Sequence, residues 1–283
     1  MSLSTRHSIT WETTAEDEPT STLVITSPLG KYVDIRSLLP ISNGKLEWYF
    51  AGCERELEPA KNGNCRLEFT HTFFDSTYIK KVTELKSKNI NCKIPKIESF
   101  VQADQGEFFD TPNPWERARG IRYEAGEMLN ANSGKIEEYL EKWISLDPSN
   151  AEIVHLKNDT NTNLKVNCLV LDTVGGGSNG ENKNKFIGRL ILYGKWYQAV
   201  LWDRESSLQG HDEQQSVGVI RSVKSVGDLS FEKIIEYGGQ ACKLPQINEI
   251  SALTQAVVGD ILSFNEINWE VVEVVNWDTK SKL

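Results

Sequence analysis

The sequence predicts an all-β protein built as two copies of one strand-rich domain, and three observations predict it. Gly44-Lys45 leads into Trp48-Tyr49-Phe50-Ala51 and Arg55-Glu56, while Gly194-Lys195 leads into Trp196-Tyr197-Gln198-Ala199 and Arg204-Glu205; the two Trp-Tyr-x-Ala elements lie 148 residues apart (196 minus 48). A second echo, Gly126-Glu127-Met128-Leu129 against Gly259-Asp260-Ile261-Leu262, lies 133 residues apart (259 minus 126) and keeps the same order. Short runs rich in β-branched and aromatic residues follow one another at close spacing between Gly, Asn and Pro turn signals. Few segments carry a convincing helical period, so each copy reads as a sandwich or barrel.

Taken in order, the acidic, hydroxyl-rich residues 12–22 read as a mobile turn or loop. Leu23 to Thr26, Tyr32 to Ile35, Glu47 to Ala51 and Arg66 to Phe74 read as strands, divided by Ser27-Pro28-Leu29-Gly30, Ser42-Asn43-Gly44 and Asn62-Gly63-Asn64. In the fourth run Leu67, Phe69, His71 and Phe73 share one face and Glu68, Thr70 and Thr72 the other, the period of a half-buried strand. Residues 86–120, with Thr111-Pro112-Asn113-Pro114, read as a long irregular excursion. Ile136 to Ile144 fits a helical face, but the Asn132-Ser133-Gly134 turn and the parallel with the second half favour a hairpin strand. Asp147-Pro148-Ser149-Asn150 marks the boundary, giving domains at 5–147 and 148–278. Strands follow at 164–171, 186–192, 196–202, 217–223, 231–237, 260–264 and 269–275, the last two joined by a turn at 265–268.

A length of 283 residues suits two domains, and 39% apolar residues suffice for a core in each. A net charge of −9 argues against a nucleic-acid partner, because phosphate neutralisation needs a basic face. Lys80, Lys81, Lys86, Lys88, Lys93 and Lys96 form a local exception. They read as a solvated loop or strand edge, or else as a docking patch for an acidic partner or anionic headgroups. The five cysteines are scattered with no Cys-x-x-Cys pair, so reduced thiols are expected. No run approaches the roughly 18 apolar residues of a membrane span, and the chain reads as cytoplasmic, with nuclear entry by diffusion.

Local chemistry is sparse. Gly175 to Gly180 lacks the Lys-Ser/Thr ending of a phosphate cradle, no Gly-x-Ser-x-Gly elbow occurs, and His7, His71, His155 and His211 show no metal-ligand spacing. No catalytic residue, metal or cofactor is expected. His71, on the apolar face of its strand, reads either as a satisfied core histidine or as a ligand or haem contact inside a barrel. With it, Trp48, Phe50, Phe69, Phe73, Trp196 and Trp269 are the candidate pocket residues, with core packing the competing reading. Asp17 and Glu18 stand three residues before Thr20 and Ser21, a spacing that acidophilic kinases accept, so these two are candidate phosphorylation sites.

Gly30-Lys31-Tyr32-Val33-Asp34-Ile35-Arg36 and Leu46 to Gly52, then Gly194 to Gln198, Glu236-Tyr237-Gly238-Gly239, Lys243-Leu244-Pro245-Gln246 and Asn268 to Glu273, resemble the fungal HRI proteins over roughly residues 20 to 275. That resemblance implies two tandem lipocalin-like (calycin) antiparallel β-barrels. It also implies a non-enzymatic adaptor that binds a protein kinase of the casein kinase I type and associates with a subunit of the endoplasmic-reticulum translocation machinery. The chain is longer than the family pattern near residues 80–110 and 172–186. The alternative reading is a carrier of a small hydrophobic ligand, a lipid or porphyrin, inside a barrel; Gly194-Lys195-Trp196 matches the Gly-x-Trp tripeptide of lipocalins.

Overall fold

The structure, a computed structural model, describes residues 1–130, 133–154, 166–174, 185–225, 231–251, 253 and 256–275. The Gly175–Gly180 loop, the 172–186 insertion beyond its ends, and His155 lie outside them. The first half is a closed antiparallel barrel of eight strands in sequence order: β1 (Ser2–Trp11), β2 (Thr20–Thr26), β3 (Lys31–Leu38), β4 (Leu46–Leu57), β5 (Cys65–Asp75), β6 (Asp104–Asp110), β7 (Ile121–Asn130) and β8 (Lys135–Ser145). Strand β8 closes the ring on β1, with Ser4 opposite Ser145 and Trp11 opposite Tyr139. Residues 136–144 are therefore a strand, as the flanking turn favours.

Helix α1 (Ser76–Lys88) occupies the start of the lysine-rich segment, which is thus neither loop nor strand edge there. Its signals are local. Asp75 caps it by accepting from the backbone N–H of Thr77 and Tyr78 at 2.7 and 3.0 Å, and Tyr78, Ile79 and Val82 form its buried stripe. Two short helices, α2 (Ile97–Phe100) and α3 (Pro114–Ala118), complete the excursions around β6. Asn113 caps α3 and Pro114 opens it, so the Pro-rich stretch hosts a helical turn.

The second half is a seven-stranded antiparallel sheet: β9 (Cys168–Thr173), β10 (Phe186–Tyr193), β11 (Trp196–Asp203), β12 (Val217–Lys224), β13 (Phe231–Tyr237), β14 (Ile261–Phe264) and β15 (Ile267–Val275). Its order is β13-β12-β11-β10-β9-β15-β14, and among the described residues β13 and β14 do not pair. The expected second closed barrel is therefore an open sheet here. Helices α4 (Arg204–Leu208) and α5 (Glu213–Ser216) join β11 to β12, and α6 (Ile247–Ser251) follows β13. Ile247 and Ile250 of α6, with Leu244, fill the sheet face that carries Tyr197, Leu201, Trp269 and Val271. Asn265 and Glu266, both with positive φ (49° and 66°), turn β14 into β15.

The two halves share a core between them. Leu3, Leu23, Ile25, Val33, Ile35, Tyr49 and Ala51 project outward from β1–β4. They join Val170, Ile191, Trp196, Val200, Trp202 and Val219 of the second sheet in one core. The alternation in β2 and β3 is thus inverted relative to a barrel with an oily interior: the apolar face points out to the neighbouring sheet and the polar face points in.

Polar and charged side chains of the second sheet stitch this seam to the backbone of β2, β3, β4 and the β2–β3 turn. Arg189 grips Asp172 at 2.7 and 2.8 Å, donates to the Gly52 carbonyl and stacks 4.2 Å from the Phe73 ring centre. Gln198 donates to Leu23 O at 2.8 Å, and Arg221 donates to Ser21 and Ile35 carbonyls. The Glu273 carboxylate accepts from the Ser27 hydroxyl and the Leu29 amide. Gly52 has no room for a side chain, since a Cβ would sit 1.5 Å from Thr70 O.

A continuous core predicts one unfolding transition for the whole chain. Arg189→Ala would leave Asp172 unpaired at the seam and is expected to cost about 3–5 kcal/mol. Urea unfolding followed by tryptophan fluorescence and far-UV circular dichroism checks both; separated transitions for the two halves would refute the shared core.

Candidate functional site

The polar inward face of β1–β4, completed by β5–β8, encloses a cavity of about 220 Å³. Ser2, Thr26 and Ser145, at neighbouring strand ends, border it at one end of the barrel. One wall is aromatic. Tyr32 stands edge-on to Phe50 and Phe69 with centroids 5.9 and 5.8 Å away, and Phe69 meets Phe108 at 6.2 Å. The rest is ionic: Asp34, Glu54, Asp104, Glu124 and Glu141 face Arg36 and Arg122.

Several of these charges are already engaged. Arg6 donates to Glu141 at 2.6 Å and to Glu18 at 2.8 Å, drawing the β1–β2 connection down over the barrel. Arg36 donates to Asp34 Oδ2 at 3.0 Å while its guanidinium lies over the Trp48 and Phe50 rings at 5.0 and 5.3 Å. Burial alone would lower the Arg36 pKa, but Asp34 and Glu141 outweigh it and the group stays charged. Tyr139 donates to Glu124 at 3.0 Å. Burial first, and then the charge of Glu141, push Glu124 up to about 8. Gly106 makes space for this carboxyl, since a Cβ there would lie 2.3 Å from Glu124 Oε1.

Beyond the cavity wall, His71 sits between two carboxylates, Nδ1 3.5 Å from Asp75 and Nε2 3.3 Å from Asp104. Burial acts to lower its pKa, but the two carboxylates prevail and raise it to about 9. Both nitrogens face acids, which favours the imidazolium form, and with 1% of its side chain exposed His71 is closed off from a haem iron, although Nε2 approaches Asp104 without hydrogen-bond geometry. No three His, Cys, Asp or Glu side chains among the described residues converge to hold a metal ion.

The structure brings together four of the seven pocket candidates. Trp48, Phe50 and His71 stack with centroid distances of 4.1 to 5.1 Å, and Phe50 and Phe69 line the cavity. Phe73 departs from them. A register shift between the pairs Ala51–Phe74 and Cys53–Thr70 turns it out to the seam against Arg189. Trp196 and Trp269 lie on opposite faces of the second sheet, Trp196 in the shared core and Trp269 in the cluster with α6. They line no common interior.

Thr20 and Ser21 belong to β2 rather than to a mobile loop. Thr20 is 2% exposed and shares hydrogen bonds with Glu18 and Thr22, while the Ser21 hydroxyl accepts from Arg221 at 3.1 Å. A kinase would have to peel β2 from the barrel to reach either. Sequence reasoning missed Arg6, Asp34, Arg36, Glu124 and Glu141. The available signal was the alternation of Asp34 and Arg36 with Val33 and Ile35 along one strand, which sets charge on one face and β-branched side chains on the other.

Residues 2–273 match the family described as Protein HRI1. This chain belongs to the HRI1 family. A curated relative, Protein HRI1 of Kluyveromyces lactis, is 23% identical over 264 residues, covering 91% of this chain and 92% of the relative. The crystal structure of an uncharacterized protein from Saccharomyces cerevisiae superposes with a TM-score of 0.71 at 19% identity, covering 96% of this chain and 98% of that one. The likeness to the yeast structure extends across both sheets, so the barrel and its covering sheet are the fold of that protein as well.

The raised His71 pKa makes a signed prediction for this HRI1-family chain. Its contribution to stability is full below the unfolded pKa of about 6.5 and is lost as pH rises through about 9. The amount is on the order of 3 kcal/mol. Imidazole NMR should show His71 protonated at neutral pH, titrating near 9; a midpoint at or below about 6.5 would refute the two-carboxylate clamp.

Proposed function

We propose that this HRI1-family chain works by binding rather than by catalysis, and that its barrel receives a small amphiphilic molecule. The observation that carries this is the cavity itself, an aromatic wall opposite unevenly paired charge inside a closed barrel. A packed structural barrel would fill that space with its own side chains. A purely hydrocarbon lipid tail would strand the interior carboxylates without partners, and His71 offers no iron ligand, so the ligand class shifts from lipid or porphyrin to something polar. The His71–Asp75 pair has the composition of a general base, but both side chains are 1% exposed and shielded by Trp48 and Phe50, which supports a structural role.

A second reading is the adaptor that the family resemblance implies, with a casein-kinase-I-type kinase and a translocon subunit as partners in the cytoplasm. Exposed apolar side chains favour it. Leu129 and Ile136 pair across β7 and β8 at 62% and 63% exposure, and Trp115 on α3 is 83% exposed. Such residues suit a protein contact. The tandem lipocalin-like architecture at 5–147 and 148–278 enters here as a reading of ancestry, with the first copy retained as a barrel.

Native mass spectrometry of the full chain purified from its host tests the ligand reading; a bound small-molecule mass is expected, and uniformly empty protein would count against it. For the adaptor, Leu129→Asp with Ile136→Asp is expected to weaken capture of purified casein kinase I by about ten-fold or more without altering the unfolding midpoint. Unchanged capture, or none by the unaltered chain, sinks that reading.

A further inference from the structure

We infer that the barrel cavity is a receptor site for an organic cation, an aromatic or aliphatic amine whose ammonium group meets Asp34 and Glu124. The inference deepens the ligand reading above and rests on it. Of the five carboxylates that line the cavity, Glu141 is paired with Arg6 and Asp104 lies 3.3 Å from His71, which leaves Asp34, Glu54 and Glu124 facing Arg36 and Arg122. Arg36 satisfies only Asp34 Oδ2. Asp34 Oδ1 has no partner, although Asp34 is 2% exposed and lines the cavity. A buried carboxylate oxygen left in that state is costly unless something cationic or hydrogen-bonding reaches it.

The neighbouring cations are engaged elsewhere, the Met1 ammonium at the cavity with Glu54 among them. Arg6 is held by Glu141 and Glu18, and His71 by Asp75 and Asp104. Arg122 lies over the Phe108 ring at 5.5 Å. The aromatic wall of Tyr32, Phe50, Phe69 and Phe108 provides the surface on which a cation or the body of an aromatic amine rests favourably.

Binding is linked to protons. Glu124 is faced by Tyr139 and Glu141 from β8, by Asp104 from β6 and by Arg36 from β3, and its pKa is pushed up to about 8, so without an amine beside it the protonated form is favoured at neutral pH. An ammonium group takes over the role of that proton, so Glu124 ionises as the amine enters. Affinity therefore rises with pH toward about 8 and levels off above it.

Isothermal titration calorimetry of the full chain with three indoles of similar shape tests this: tryptamine (cation), tryptophol (neutral) and indole-3-propionate (anion). Tryptamine is expected to bind at least about ten-fold tighter than the other two, with affinity gaining up to about ten-fold per pH unit below pH 8. Up to one proton should be released per amine bound at neutral pH, read from buffers of different ionisation enthalpy. Glu124→Gln, which mimics the protonated carboxyl and keeps the fold, should abolish the pH dependence. Asp34→Asn should weaken tryptamine about ten-fold while leaving tryptophol unchanged. Preference for tryptophol or the propionate overturns the cation assignment and leaves the ligand cavity standing. Failure of all three to bind overturns both, as does tryptamine binding that neither substitution alters.

Discussion

The outer face of β1–β4 has to be covered. Leu3, Leu23, Ile25, Val33, Ile35, Tyr49 and Ala51 make a continuous apolar surface on the outside of a closed barrel, and burying such side chains stabilises by roughly 1.5–3 kcal/mol each. The second sheet supplies the cover, and its own inward face is built to match. Because the hydrophobic driving force is spent on the outside of the barrel, the inside is released from being a core. It can then hold arginines, carboxylates and a cavity that an oil-filled barrel would exclude. The polar, hollow interior of the first half follows from this division of labour.

Much of the architecture was legible in the residues. Strand content, the hairpin at 136–144 and the turn before β15 were readable because period-2 alternation and left-handed turn residues are local signals. The lysine-rich helix was not, since its buried stripe is only Tyr78, Ile79 and Val82, and the surrounding charge masked it. The direction of each face was also hidden. Alternation shows that Val33 and Asp34 point opposite ways, but it does not show which side is the barrel interior. That depends on a neighbour more than a hundred residues away in sequence. The site was half readable for the same reason: Trp48, Phe50, Phe69 and His71 stand out as aromatics, whereas Asp34, Glu124 and Glu141 look like solvent-facing charge until the barrel closes around them.

The internal echo acquires a concrete meaning in the strand order. Subtracting seven from each strand of the second sheet turns β9–β15 into β2–β8, which places Trp196 on the counterpart of Trp48's strand and Gly259 just before the counterpart of Gly126's strand. Among the described residues no strand stands as the counterpart of β1, β15 pairs directly with β9, and the ring opens where β6 and β7 would meet. The correspondence is one of position rather than of direction. Trp48 points into its barrel with Tyr49 in the shared core, whereas Trp196 lies in the shared core with Tyr197 on the far face. The two Trp-Tyr-x-Ala segments thus share a strand position and differ in the face that each residue presents.

Translation runs from the N-terminus, so the first barrel leaves the ribosome before β9–β15 exist. For that interval its greasiest flank has nothing to lie against. That flank is an aggregation-prone surface until the second sheet arrives. Arg189, Gln198 and Arg221 then bring the hydrogen bonds that fix the late-made sheet in register on the early-made one.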